Sequence, residues 1–203
     1  MLKEVLITQL RNKETTIDQF RDIADKLSYL LVQQVDQYIK TKKIDVETPW
    51  EKTKGEEFIK QPKLIIILRS GFALLPAFLK FFNKADVGVV GLKRDEKTAQ
   101  AHLYYLNLPK IEADDQVIIL DPTIATGGSA VSSLEILKER GIKESQIIFA
   151  SIICVQEGLD AIKQEFPNIK LIYLVKDEKL NAKKFIIPGF GDFGDRYFGT
   201  PVD

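Results

Sequence analysis

Apolar residues follow two alternating rhythms along this chain. From Ile17, the positions Phe20, Ala24, Leu27, Leu31 and Tyr38 recur at helical spacing and predict a long amphipathic helix running to about Lys40. Thr15 and Thr16 stand three residues ahead of Asp18 and Gln19, a capping-box pattern at its start. Residues 41–62 lose the rhythm. They are polar, contain Pro49, Gly55 and Pro62, and read as a connector or a small appended element. Apolar runs then predict strands at Lys63 to Leu68, Asp86 to Leu92, Val117 to Leu120, Gln146 to Val155 and Lys170 to Val175. Helices fit between them: one from Gly71 to about Phe82 with Pro76 in its early turns, one from Ser129 to Arg140 closed by Gly141, and one from Glu157 to Phe166 stopped by Pro167. Residues 101–108 alternate aromatic and aliphatic groups and predict a hairpin arm. Roughly the last thirty residues are rich in Gly, Asp and Phe and read as ordered loop.

Strands that alternate with helices indicate an α/β fold, a mainly parallel central sheet flanked by helices. The expectation is a single domain over residues 1–203, with residues 1–62 as an N-terminal helix and connector packed on it. In such sheets ligands bind outside the carboxyl ends of the strands. Three turns fall at such ends: Arg69-Ser70-Gly71, Lys93 to Glu96, and Asp121 to Ser129. Their convergence on one edge marks the candidate site.

Composition narrows the choice. Lys plus Arg equals Asp plus Glu at 29 each, a net charge of zero, which argues against a general nucleic-acid binder. The single cysteine, Cys154 in Ile152-Ile153-Cys154-Val155, cannot form an internal disulfide and reads as a buried core thiol. His102 is the only histidine, so no Cys/His metal cluster exists. No stretch shows a signal-peptide pattern or approaches a membrane span, and a soluble cytoplasmic protein without membrane partners is expected.

The chemistry concentrates in Val117-Ile118-Ile119-Leu120-Asp121-Pro122-Thr123-Ile124-Ala125-Thr126-Gly127-Gly128-Ser129-Ala130. A buried strand ends in a carboxylate, and a glycine turn leads into a helix. Backbone N–H groups of such a turn and of a helix N-terminus attract phosphate. A carboxylate at the strand end can accept hydrogen bonds from sugar hydroxyls. An ordinary helix-entry turn would show the same strand-turn-helix pattern, and Arg69 and Arg94 alone would read as solvated loop arginines.

The stretch closely resembles the phosphoribosyl-diphosphate (PRPP) motif of type I phosphoribosyltransferases. Pro122 stands where most of that family has a second acid, as is usual in the uracil branch. Phe185-Ile186-Ile187-Pro188-Gly189-Phe190-Gly191-Asp192-Phe193-Gly194-Asp195-Arg196 resembles the base-binding segment of uracil phosphoribosyltransferases, so 181–203 becomes the expected base-binding segment. The resemblance covers the chain from about residue 60 to its end and implies transfer of a phosphoribosyl group from PRPP to uracil, giving UMP and diphosphate. It implies that Asp121 holds ribose hydroxyls and that the run Pro122, Thr123, Ile124, Ala125, Thr126, Gly127, Gly128 and Ser129 binds PRPP, with Thr126 to Ser129 around the 5′-phosphate. Arg69 and Arg94 are implied on the diphosphate and PRPP, where a guanidinium fork suits phosphate oxygens. Ile186 and the Gly191-Asp192-Phe193 backbone are implied at the uracil ring, with Asp192 also on PRPP and Asp195 structural. Asp121, Arg69 and Arg94 are the expected catalytic residues.

The resemblance also implies Mg²⁺, bound mainly through substrate oxygens with no dedicated protein site, and a homodimer or higher homo-oligomer. It leaves GTP activation open, since that control differs among members. Departures from the family pattern (Ser70, Ala73, Lys97, Thr123, Ile124 and Gln156) bear on affinity and regulation more than on reaction type. His102 and the pairs Phe81-Phe82 and Tyr104-Tyr105 read as structural. Two alternatives remain from other classes: a PRPP-fold pyrimidine regulator that binds RNA, and a non-catalytic partner subunit.

Overall fold

The computed structural model describes residues 1–94 and 101–200; the side chains of Arg94 and Ala101 and all of residues 95–100, including Lys97, lie outside the described residues. In chain order the elements are α1 (Leu2–Arg11), α2 (Ile17–Asp36), β1 (Thr41–Glu47), β2 (Lys52–Phe58) and β3 (Lys63–Leu68). A 3₁₀ turn (Ser70–Ala73) leads to α3 (Leu75–Phe81), β4 (Val87–Arg94), β5 (Ala101–Asn107), β6 (Val117–Leu120) and β7 (Thr123–Ile124). Then follow α4 (Gly128–Glu139), β8 (Ile147–Val155), α5 (Gln156–Glu165), β9 (Lys170–Asp177), β10 (Lys179–Leu180), β11 (Ile186–Ile187) and α6 (Phe193–Phe198).

The central sheet runs β5-β4-β3-β6-β8-β9, and β7 continues β6 along the same flank of β8. Every pairing is parallel except β4–β5, so the mainly parallel α/β sheet expected from the sequence is what forms. Strand residues alternate between two cores, as a two-residue side-chain period requires. Leu64, Ile66, Ile118, Leu120, Ile148 and Ala150 face α1, α2 and α3. Ile65, Ile67, Val117, Ile119, Ile147 and Phe149 face α4 and α5.

Local differences from the sequence reading have physical causes. Helix α1 carries no strong periodic run, yet Leu6, Ile7 and Leu10 are buried along one face. At α2 the Thr16 N–H donates to Gln19 Oε1 at 3.1 Å, so the Thr16/Gln19 box marks the start. The helix ends at Asp36 rather than Lys40, because Tyr38 and Ile39 tighten into bonds with Val35 and Asp36. Residues 41–58 form an exposed antiparallel hairpin, β1–β2, where a connector or small element was expected. Residues 181–200 are less loop-like than expected, since β11 and α6 lie within them. Cys154 is fully buried, and burial pushes its thiol pKa up to about 12, so it is an inert core group.

Candidate functional site

Parallel β3, β6 and β8 open their carboxyl ends on one edge. There the 3₁₀ turn after β3 lies directly against the end of β6: a Cβ on Gly71 would stand 2.2 Å from the Leu120 carbonyl oxygen. Only glycine permits that approach, and it brings Arg69 and Ser70 beside Asp121. The Asp121 N–H donates to the Ala150 carbonyl at 3.2 Å, which fixes the residue at the strand end. Its carboxylate is buried. Among the described residues the Thr123 N–H donates to Oδ1, at 3.3 Å. Burial drives the Asp121 pKa up to about 7, and the long Thr123 bond opposes this only weakly. A carboxylate so placed gains from any ligand that donates to it or brings positive charge.

Beyond Asp121 the chain alternates as a strand does. Pro122 and Ile124 turn inward: the Pro122 carbonyl accepts from the Ile152 and Ile153 N–H groups at 3.0 Å, and Ile124 is buried in the core. Thr123 and Ala125 turn outward and line a cavity. Gly127 then takes φ +81°, and a Cβ there would stand 2.7 Å from the Gly158 carbonyl oxygen of α5. Both facts demand glycine. They bring the chain into the N-terminus of the 12-residue helix α4, with Gly128 and Ser129 exposed. The first N–H groups of that helix have no intrahelical acceptors and suit an anion.

The C-terminal segment forms the opposite wall. Thr123, Ala125 and Ser129 face Ile186, Gly189, Gly191 and Asp192 across a cavity of about 270 Å³. Asp192 caps α6, its Oδ1 accepting the Asp195 N–H at 2.9 Å. Phe193 lines the cavity too, and its ring is buried 5.3 Å from the Phe20 ring and 5.6 Å from that of Phe190. Arg69 donates to Asp195 Oδ1 at 3.2 Å, and Thr200 Oγ1 donates to the same oxygen at 2.6 Å. Asp195 thus holds Arg69 at the site edge as well as supporting the fold.

This wall is tied down from α1. Arg11 donates to both Asp177 oxygens at 2.8 and 2.6 Å and to the Gly189 carbonyl at 2.9 Å, while the Gly189 N–H donates to Asp177 at 2.7 Å. Burial alone would raise the Asp177 pKa; the Arg11 guanidinium and the Gly189 N–H outweigh it and hold the carboxyl below its ordinary range. Arg196 donates to the carbonyls of Leu10, Asn12 and Phe190 at 2.7–2.8 Å.

The sequence-predicted residues Thr123, Ala125, Ser129, Ile186, Gly191, Asp192 and Phe193 therefore gather around one cleft. Asp121 does not line it but stands two residues before Thr123 at the end of β6, and the Thr126 to Gly128 turn joins Ala125 to Ser129. Arg94 ends β4 on the same sheet edge, but its side chain lies outside the described residues. Arg11, Asp177 and Lys184 were not singled out from the sequence, and Phe185 only as the first residue of the base-binding segment. Asp177 alone carried a usable signal, an acid at the carboxyl end of a strand. A larger hollow of about 450 Å³ lies at the far edge of the sheet, between the end of α4 and the start of β8, away from these groups. His102 is exposed on β5. Among the described residues no helix is long and apolar enough to cross a membrane.

Comparison with known proteins places the chain among relatives. A family model described as uracil phosphoribosyltransferase matches residues 1–200. A uracil phosphoribosyltransferase of Dictyoglomus turgidum is 39% identical over 195 residues, 96% of this chain and 93% of its own. One of Limosilactobacillus fermentum is 37% identical over 195 residues, 96% of this chain and 92% of its own. Among solved structures, the AQ2163 protein of Aquifex aeolicus superposes with a TM-score of 0.88 at 32% identity, covering 100% of this chain and 96% of that one. A purine phosphoribosyltransferase of Pyrococcus horikoshii shares the fold at a TM-score of 0.51 and 16% identity, over 77% of this chain and 84% of that one.

Proposed function

Since the chain belongs to the uracil phosphoribosyltransferase family, it transfers the phosphoribosyl group of PRPP to uracil, and we propose that the cleft between Asp121–Ser129 and Ile186–Phe193 carries that reaction. The observation that supports this most is the single cavity walled by both segments. Asp121 accepts hydrogen bonds from the ribose hydroxyls. The N-terminus of α4 and the Thr126-Gly127-Gly128-Ser129 turn receive the 5′-phosphate. Arg69 leaves Asp195 for the diphosphate, and Arg94 approaches PRPP from the end of β4. Pro122 and Ile124, whose polar and apolar groups are spent on β8 and the core, shape the PRPP loop from behind. The backbone around Ile186, Gly191, Asp192 and Phe193 reads the uracil edge.

As the bond to diphosphate breaks, positive charge builds on the ribose. Catalysis then rests on positioning and on neutralising the leaving group. Among the described residues no three His, Cys, Asp or Glu side chains gather into a cage. Single carboxylates stand here: Asp192 lines the cleft, and Asp121 is buried two residues before the lining residue Thr123. That donor set fits a Mg²⁺ ion that brings substrate oxygens and water as its other ligands. When bound, such an ion would offset the charge of the diphosphate.

A cytoplasmic homodimer is part of the same reading. Support for self-association comes from the exposed apolar side chains of Trp50, Leu103, Tyr104 and Tyr105 on the hairpin and on β5, and light scattering tests it. The activity test is direct. Purified protein is incubated with PRPP, Mg²⁺ and each of uracil, cytosine, orotate, hypoxanthine and adenine, with and without GTP. UMP from uracil, and no nucleotide from the others, is the expected result. Failure to form UMP overturns the reading.

A further inference from the structure

Among the described residues that line the cleft cavity, Lys184 is the one with a positive charge. It is also the one non-glycine residue, among the described residues, with a positive φ, +65°. The turn imposes that conformation. Asn181 Oδ1 accepts the N–H groups of Lys183 and Phe185, and the Asn181 carbonyl accepts that of Lys184, all at 2.9 Å. Glycine enters the left-handed region freely; lysine meets a steric cost there. Lys184 Nζ reaches Glu157 Oε1 on α5 at 3.1 Å, but the two side chains are 48% and 53% exposed, and an ion pair so wet returns little. Fold stability therefore gives no reason for a lysine at this position, and strain kept at a cleft points to function.

Its surroundings say which function. Glu157 precedes Gly158, whose carbonyl packs against Gly127 of the phosphate turn. Ser129 lines the same cavity as Lys184. Lys184 thus shares its cavity with the start of α4, and its ammonium rests on the residue beside the glycine that packs on the phosphate turn. We propose that Lys184 is a further binding residue for the 5′-phosphate: it rests on Glu157 in the free protein and transfers to the phosphate monoester when PRPP or UMP enters, drawing the C-terminal segment over the nucleotide. A flexible, compact ammonium suits a group that must be gripped and then released. Glu157 competes with the phosphate for it. The inference rests on the phosphoribosyl-transfer reading above.

The test is calorimetry with UMP, which carries the 5′-phosphate, and with inorganic diphosphate, which does not, alongside steady-state kinetics. For Lys184→Met, KM for PRPP and Kd for UMP should both rise about tenfold, the low end for a charge-assisted bond at an exposed site. Diphosphate affinity should stay unchanged. Lys184→Gly relieves the turn, so its Tm should rise while its UMP affinity falls as in Lys184→Met, which separates binding from folding. Glu157→Gln should tighten UMP about threefold by removing the competing carboxylate, and should do nothing when combined with Lys184→Met. Wild-type protein that forms no UMP from PRPP and uracil overturns the underlying activity. Wild-type protein that forms UMP, with unchanged UMP affinity in both Lys184 variants or an equal loss for diphosphate, overturns the role of Lys184 alone.

Discussion

The two walls of the cleft are held by opposite means. The Asp121–Ser129 wall is an outgrowth of the sheet. Its shape comes from main-chain bonds to β8, from the inward Ile124 and from a glycine wedged against α5. The C-terminal wall has almost no sheet behind it, only the two-residue pairing of β10 with β11. Besides the core rings of Phe190 and Phe193, it is held by two guanidinium groups, Arg11 and Arg196, that bind its carbonyls and the buried Asp177. The first wall should therefore fail through shape and the second through charge. That difference sorts the substitutions.

The largest effect is expected from shape. Gly127→Val places a β-branched side chain at φ +81° and against the Gly158 carbonyl. The turn must move, and with it the N–H groups that face the phosphate. Calorimetry should detect no PRPP binding, while circular dichroism should retain the helix and strand signals. Normal PRPP affinity would mean the turn is only a connector.

Next comes the choice of base, a property of the other wall. Uracil presents acceptor, donor and acceptor along O4, N3 and O2, and cytosine reverses the first two. Main-chain groups near Ile186 and Gly191 cannot exchange roles as a hydroxyl can. Uracil should beat cytosine by at least ~10³ in kcat/KM. The ring of Phe193 lies in the core, so Phe193→Ala should weaken uracil binding by loosening the wall, without relaxing this preference. Comparable use of cytosine would sink backbone reading.

These walls also differ in how legible they were. The first could be read in sequence because its causes are local: β-branched residues end at an acid, and two glycines open a helix. The second could be read as a base-binding segment through its resemblance to the family, but its residues by themselves showed only Gly, Asp and Phe content and order, not what holds it. What orders it lies far away in the chain, since Arg11 and Asp177 are 166 positions apart. Arg11 breaks no local pattern, and Asp177, an acid at a strand end, does not name its partner. α1 offers only a short apolar face, and its task of carrying Arg11 to the cleft has no sequence signature. The direction of Phe193 was hidden for the same reason: a phenylalanine between glycines shows that something packs, not on which side.

Charge gives the next prediction. Arg11→Met leaves Asp177, whose side chain is 4% exposed, without its cation. Breaking a buried pair from one side costs about 3 kcal/mol, and for a chain of this length that is a Tm lower by about 10 °C. KM for uracil should rise about tenfold, because the Gly189 carbonyl loses its donor; KM for PRPP should move less. The sign with pH is fixed by the depressed Asp177 pKa. Stability from this carboxylate is present above the unfolded carboxyl range and is lost as pH falls through the lower folded value. The variant should therefore have a flatter acid limb than the wild type. Equal acid limbs would show that Arg11 does not hold the second wall.

Asp121 on the first wall has the opposite sign, and this makes the smallest and sharpest test. Its folded pKa is raised, to about 7, by burial. The unfolded carboxyl gives up its proton near the ordinary value, so between there and about 7 the folded chain holds a proton that the unfolded chain has lost. Stability must then fall as pH rises through that window, by on the order of 4 kcal/mol at most. A neutral amide at this position is free of that cost, so Asp121→Asn should raise Tm by about 5 °C near pH 8, and by little near pH 4. The same substitution should lower kcat/KM at least about tenfold, since it removes the charge and an acceptor that the ribose hydroxyls would use. For the same reason the wild type's kcat/KM for PRPP should decline below about pH 7, where the free protein's Asp121 is protonated. A stabilised and inactive Asp121→Asn protein fits a carboxylate held at a cost for its ligand. A destabilised one would mean that Asp121 supports the strand end, and the first wall would then resemble the second in depending on a charged anchor.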